Sequence, residues 1–195
     1  MKMLKELIIR KLSSWIRPVM IGGYKNSDGS FRKQVRMGSS TTIIRPEKLD
    51  LQDHVFIGQY NFLDASNALH IGEGCQITNY VSILTHSSHI SIRLYGRRYV
   101  DVPETEKLGY KRGAVTIGDY TFIGPHVVIM PGSRIGKGCI ISAFSYVDGE
   151  FPDFSVIAGQ PAQVIKDTRS MDESFLNDHP ELMQNYKEWV NRKSI

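Results

Sequence analysis

Apolar positions recur every six residues through the second half of this chain. The series Ile117, Ile123, Ile129, Ile135, Ile141 and Val147 is unbroken, and glycine follows three of its members, at Gly118, Gly124 and Gly136. Four residues after each of the first five comes a small or β-branched residue: Thr121, Val127, Ser133, Cys139 and Ser145. An earlier block keeps the phase at Ile71, Ile77 and Ile83, and Leu51, Ile57 and Leu63 precede it. The step from Leu63 to Ile71 is eight, so one corner carries two extra residues. An α-helix would need apolar recurrence near 3.6, which this stretch lacks.

A period of six describes a short strand followed by a tight turn. That is one side of a triangular coil, and three sides make one turn of about 18 residues. The aliphatic residue points inward and stacks on its equivalents one coil above and below. The small residue fits near the corner, where glycine and asparagine accept the turn dihedrals. A lone coil cannot bury its apolar face, so coils stack and their ends need caps. The period therefore predicts a mainly β fold, a left-handed parallel β-helix of hexapeptide repeats.

The flanks read differently. Residues 1–17 carry Leu4, Leu7, Ile8, Leu12 and Trp15 at helical spacing, and Pro18 ends the pattern. Residues 22–40 are rich in glycine, serine and charge, and read as a loop leading to the first coil. The expected organisation is a helix and loop over 1–40, a β-helix over 41–169, and a C-terminal helix within 170–195 interrupted by Pro180. The period breaks over 85–114, a segment holding His86, His89, Arg93, Arg97, Arg98 and Glu104. Long loops in compact domains are usually functional or disordered, and histidines at the base of this one favour function.

Length and charge narrow the classes. At 195 residues the chain fits one domain. No apolar run is long enough to span a bilayer, and Met1 to Trp15 lacks the uninterrupted apolar core of a signal peptide, so a cytoplasmic location is expected. Two cysteines, Cys75 and Cys139, fit a reducing compartment, and both fall in the small inward slot of their repeats. Residues 1–37 hold nine Lys/Arg against two acids, although the whole chain nets only +4. This basic segment suits phosphates, so a peripheral membrane contact or a nucleotide-linked substrate is one expectation, and a solvated face is the other. No basic stripe or reader motif lies beyond it, so no nucleic-acid partner is expected.

The stretch from Ile117-Gly118-Asp119 through Ile123-Gly124-Pro125-His126 to Met130-Pro131-Gly132, followed by Ile135-Gly136, resembles the galactoside, maltose and nodulation-sugar O-acetyltransferases. So does Ala158-Gly159-Gln160-Pro161-Ala162 with Val164-Ile165-Lys166. Leu63-Asp64-Ala65-Ser66 and Ile83-Leu84-Thr85-His86-Ser87-Ser88-His89 bring the resemblance nearest to sugar O-acetyltransferases of surface-polysaccharide pathways, such as capsule and O-antigen. The resemblance implies a homotrimer with acetyl-CoA as co-substrate, a sugar hydroxyl as acceptor, active sites between neighbouring coils and a histidine as general base.

Histidine suits that task because its ordinary pKa is near 6.5, and such bases contribute roughly 10²–10⁴-fold. In the resembled enzymes the base follows the last aliphatic residue before the excursion by about five positions. Counting from Ile83 reaches Ser88. His89 lies one residue further and is the first candidate; His86 lies two nearer and is the second. By the same resemblance Asn61 and Asp64 meet the acceptor, unless they serve only as corner residues, and Phe122 packs beside the base. Ala143, Gly159 and Pro161 border the pantetheine arm, and Lys166 and Arg169 meet its phosphates. His126 reads as a surface or interface residue. The loop arginines face an anionic acceptor or simply water. No metal is expected. A γ-type carbonic anhydrase using His86, His89 and His126 is a weaker rival. An antibiotic or serine acetyltransferase and a non-enzymatic trimeric scaffold stay open as alternatives.

Overall fold

The computed structural model describes residues 17–192, so the helix expected over 1–17 lies outside the described residues except for Arg17. The described chain begins with an antiparallel hairpin of β1 (Met20–Lys25) and β2 (Phe31–Gly38). From β2 it winds through three faces in turn. β3 (Thr42–Ile44) and β4 (Leu49–Leu51) finish the first coil. β5 (Phe56–Ile57), β6 (Phe62–Asp64) and β7 (Leu69–Ile71) make the second. β8 (Gln76–Ile77) and β9 (Ser82–Ile83) open the third.

There the chain leaves the coil. The excursion contains β10 (His86–Ser87), the short helix α1 (Ser91–Tyr95), two 3-10 turns, and β11 (Lys111–Arg112), which returns antiparallel to β10. β12 (Val115–Ile117) resumes the coil, followed by β13 (Phe122–Ile123), β14 (Val128–Ile129), β15 (Arg134–Ile135), β16 (Ile140–Ile141), β17 (Tyr146–Val147), β18 (Glu150–Phe151) and β19 (Ser155–Gly159). β20 (Ala162–Asp167) folds back antiparallel on β19. Helices α2 (Thr168–Asp178) and α3 (Met183–Val190) follow, separated by a 3-10 turn at Pro180–Leu182.

Among the described residues three sheets form the faces of the coil, beside the two-stranded β10–β11 ribbon. Face A orders β1-β2-β5-β8-β13-β16-β19-β20, face B orders β3-β6-β9-β14-β17, and face C orders β4-β7-β12-β15-β18. Neighbouring coils pair in parallel, and their register explains the six-residue period. On face A, Met37, Ile57, Ile77, Ile123, Ile141 and Ile157 stack in a column. Face B stacks Ile43, Leu63, Ile83, Ile129 and Val147, and face C stacks Leu51, Ile71, Ile117, Ile135 and Phe151. These columns fill the interior, and most of their members are fully buried. The fold is mainly β with parallel sheets, as the period predicts.

Two expectations are corrected. Residues 22–40 are not a loop: they form most of the β1–β2 hairpin, whose second strand is the first rung of face A. Polar and glycine-rich composition misled because β1 is an edge strand with little to bury. The coil also ends earlier than its expected boundary, since β19–β20 is a hairpin rather than a further turn. The two extra residues after Leu63 lie at the corner between faces B and C, where the excursion departs one coil later. Pro180 interrupts the C-terminal helix as expected. Cys75 and Cys139 are buried, and burial pushes their thiols up to about 12 and about 11.

Candidate active site

Asp64 ends β6 at the B–C corner and is 1% exposed. A buried carboxylate must be matched by donors. Ser66 N–H donates to Oδ1 at 2.9 Å, while the Thr85 N–H and hydroxyl both donate to Oδ2 at 3.0 Å. Burial alone would raise its pKa, but these hydrogen bonds outweigh burial and hold the carboxyl down at about 2. Asp64 is therefore ionised at neutral pH.

Against this carboxylate lies His86, the first residue of β10. Its Nδ1 is sealed from solvent and sits 2.7 Å from Asp64 Oδ2, at ion-pair distance but without the line of a hydrogen bond. Its side chain keeps 38% of its surface accessible. The Tyr110 ring stacks on the imidazole at 5.8 Å with 2° between planes, and the Arg112 guanidinium covers Tyr110 at 4.3 Å from its centroid. Arg112 reaches this place because β11 pairs it directly opposite His86. Lys111 Nζ fastens the returning strand to Asp148 at 2.6 Å. His86 is thus held on one edge by a buried anion and on one face by an aromatic ring.

His89 differs. Its Nδ1 lies 2.8 Å from the Ser87 hydroxyl, its carbonyl accepts from the Arg93 guanidinium, and no carboxylate is paired with it among the described residues. With Ile90, Gly109, Tyr110, Lys111, Tyr146 and Asp148 it lines a recess between the excursion and face B. Arg97 and Arg98 are exposed on the excursion.

Two expected acceptor ligands serve other purposes. Asn61 is buried and spends both ends of its amide on backbone, donating to Thr78 O at 2.8 Å and accepting from Val81 N–H at 2.7 Å. It is a corner residue. Asp64 stands behind His86 rather than in the open. Phe122 does not pack beside either histidine of its own chain: it lies on face A, near Tyr120, Tyr186 and Trp189.

The residues expected along coenzyme A gather at the A–B corner. Ala143 is exposed there, and the Gly159-Gln160-Pro161 turn lies one coil further on, tied down by Gln160 Nε2 donating to Phe144 O at 2.5 Å. Small residues at this corner have a structural cause as well: a Cβ on Gly124 would meet Ala143 N at 2.7 Å. Lys166 is exposed on β20. Arg169 is already engaged, with Nε 3.0 Å from Asp167 Oδ1 and its guanidinium 5.0 Å from the Phe154 ring centroid. An incoming phosphate would have to compete with that carboxylate.

Sequence reasoning missed Thr85, Ser66, Tyr110 and Arg112. It also missed a ladder of stacked rings on the A–B corner: Tyr60, Tyr80, His126 and Phe144, with successive centroids 5.2, 5.0 and 4.8 Å apart. All four hold positive φ near +60°, one per coil. His126 therefore belongs to a different corner from His86 and His89. Among the described residues no group of three His, Cys, Asp or Glu side chains could hold a metal ion.

Residues 114–149 match the family described as bacterial transferase hexapeptide (six repeats). The chain is 28% identical over 133 residues to a probable acetyltransferase of Mycobacterium tuberculosis, covering 68% of this chain and 42% of that protein. It is 30% identical over 114 residues to WbbJ of Escherichia coli, a putative lipopolysaccharide biosynthesis O-acetyl transferase, covering 58% of each. The chain thus spans about half the length of these curated relatives. Among solved structures, AntD, an N-acyltransferase from Bacillus cereus in complex with dTDP and 3-hydroxybutyryl-CoA, superposes with a TM-score of 0.56 at 20% identity, covering 76% of this chain and 89% of that one. That likeness is one of fold.

Proposed function

We propose that this chain, which matches the bacterial transferase hexapeptide family over residues 114–149, moves an acetyl group from acetyl-CoA to a hydroxyl of a sugar, with His86 as general base. The observation that carries the reading is the buried, ionised Asp64 set 2.7 Å from His86 Nδ1 at the foot of the excursion. A carboxylate on one imidazole nitrogen fixes ring orientation and leaves the other nitrogen to take a proton. Imperfect alignment before substrate arrives is ordinary, since such bonds tighten in the complex.

The chemistry is acyl transfer in two stages. His86 Nε2 takes the acceptor O–H proton as the oxygen attacks the thioester carbonyl. The tetrahedral oxyanion then collapses, the C–S bond breaks, and the departing thiolate receives the proton back from His86. No covalent enzyme intermediate is needed. Asp64 stabilises the imidazolium that exists between these steps.

A polysaccharide acceptor is supported by the similarity to WbbJ, and an acyl-CoA donor by the fold shared with AntD and by the small-residue corner at Ala143 and Gly159. We further read the coil as left-handed, the protein as cytoplasmic and the working unit as a homotrimer. Within one chain His86 stands at the B–C corner, whereas Ala143, Gly159, Pro161 and Lys166 stand at or beyond the A–B corner. A neighbouring copy would close that gap, and would also bring Phe122 to a partner's histidine.

The test is thiol release from acetyl-CoA, with nucleotide-sugars and oligosaccharides screened as acceptors and product identified by the mass gain of one acetyl group. Acceptor-dependent release supports the reading. Release with no sugar but with serine or an aminoglycoside would move the acceptor to the alternative classes. No release with any acceptor would favour a scaffold.

A further inference from the structure

We propose that the hairpin end of the coil docks onto an anionic lipid surface. The observation is an unusual pairing of exposed apolar and unpaired basic side chains on β1–β2. Val19, Met20, Ile21 and Phe31 are 52%, 44%, 53% and 64% exposed; Met20 and Ile21 lie on β1, the outermost rung of face A, Val19 leads into it, and Phe31 opens β2 opposite Lys25, with no further coil over this rung among the described residues. The same hairpin carries Lys25, Arg32, Lys33 and Arg36, with Arg36 opposite Gly22, Arg32 opposite Tyr24 and Lys25 opposite Phe31, and Arg17 lies just before it. None of these cations has a carboxylate within ion-pair distance among the described residues. Arg32 Nε donates to Leu51 O at 3.0 Å, and Arg36 lies over the Phe56 ring. The nearby acids are occupied elsewhere: Asp28 accepts from the Ser30 N–H and hydroxyl at 2.8 and 2.6 Å, Asp53 from the Gln34 N–H at 2.7 Å, and Asp50 from Asn26 Nδ2 at 3.2 Å, with His70 Nδ1 2.7 Å from its other oxygen.

Apolar side chains ringed by cations match the layered chemistry of a lipid surface, acyl chains beneath anionic headgroups. A nucleic acid would use the cations but has no place for Met20, Ile21 and Phe31 together. The sequence just before the hairpin continues both features, with Leu4, Leu7, Ile8, Leu12 and Trp15 interleaved with Lys2, Lys5, Arg10 and Lys11.

The geometry has a consequence for the site. Face B places β9, the strand leading to His86, two rungs from β3 of the first coil. At about 4.8 Å per rung, the base stands roughly 10 Å from the first coil along the coil axis. Coil-axis docking would present His86 to sugars carried on lipid just above the headgroups. That consequence rests on the acyltransferase reading; the docking itself does not.

Flotation of the purified full-length protein with vesicles tests it. The expected result is co-flotation with phosphatidylglycerol–phosphatidylcholine vesicles at low salt, little with phosphatidylcholine alone, and release as NaCl rises. Lys25→Glu with Lys33→Glu should lower partitioning at least about tenfold, because each cation near an anionic surface is worth roughly a fivefold change. Met20→Ser with Ile21→Ser should lower it as well. All these positions are exposed, so unchanged circular dichroism and melting serve as the folding control. Three results would overturn the proposal: no flotation at low salt, equal flotation of parent and charge-reversed protein, or retention on DNA without retention on vesicles. Sedimentation covers the remaining occupant: if the serine variant abolishes a self-association while vesicles bind nothing, the face joins copies of this chain. Soluble-acceptor thiol release is measured separately, so failure of docking and failure of acetyl transfer are distinguishable.

Discussion

Asp64 is the residue on which most of the site's electrostatics turn. Its folded pKa, about 2, lies below the ordinary value of 3.8. Its ionised form therefore adds stability that is complete above about pH 4 and is lost as pH falls through about 2. The size is on the order of 2 kcal/mol. In urea titrations Asp64→Asn should unfold earlier than the parent at pH 7, and the gap should shrink as pH drops from 5 towards 2. A gap that is constant with pH would mean the carboxylate is not ionised in the folded state. On the proposed mechanism, in which Asp64 positions the base rather than touching substrate, Asp64→Asn should cut kcat by at least about tenfold, and by up to ~10⁴, with little change in KM. The buried thiols give a simpler expectation: Cys75 and Cys139 should resist Ellman's reagent in the native protein and react on unfolding.

At this scale the sequence was only partly legible. Asp and Asn look alike at coil corners, and nothing in the residue type distinguishes Asn61, consumed by backbone, from Asp64, poised behind a histidine. Counting positions from Ile83 put His89 first because it treats the chain as continuing in line. The β10–β11 ribbon turns at once, and it is the nearer histidine that meets the carboxylate.

At the scale of elements, the period carried the coil because inward residues meet only their equivalents in register. Ile123 is fully buried between Ile77 above and Ile141 below. Ile123→Ala should cost about 2–5 kcal/mol, read as a lowered urea midpoint, since stacked coils on both sides limit collapse into the cavity. Gly124→Val should also destabilise, as its Cβ would press on the backbone of the next coil. The hairpins at both ends escaped the reading because antiparallel edge strands need no six-residue register. The aromatic ladder escaped it too: its rings are far apart along the chain and meet only when coils stack.

For the whole molecule, the arrangement of corners matters more than any single residue. In the proposed homotrimer, one chain supplies His86 at one corner and the small-residue track at another, and a second copy completes each site. Mixing His86→Ala subunits with Ala143→Trp subunits should restore part of the activity that each variant lacks alone, because some interfaces then pair two intact halves. Mixed assemblies as inactive as their parents would place the whole site within one chain. Docking by the hairpin end would set all copies of a parallel assembly on one plane, and multivalency would strengthen a weak single contact.

The measurement that bears most directly on the central claim is the rate of thiol release from acetyl-CoA, with a productive sugar acceptor, for His86→Ala and His89→Ala side by side. A loss of roughly 10²–10⁴ in kcat is expected for His86→Ala and less than about tenfold for His89→Ala. Full activity in His86→Ala, or a larger loss in His89→Ala, would contradict that claim.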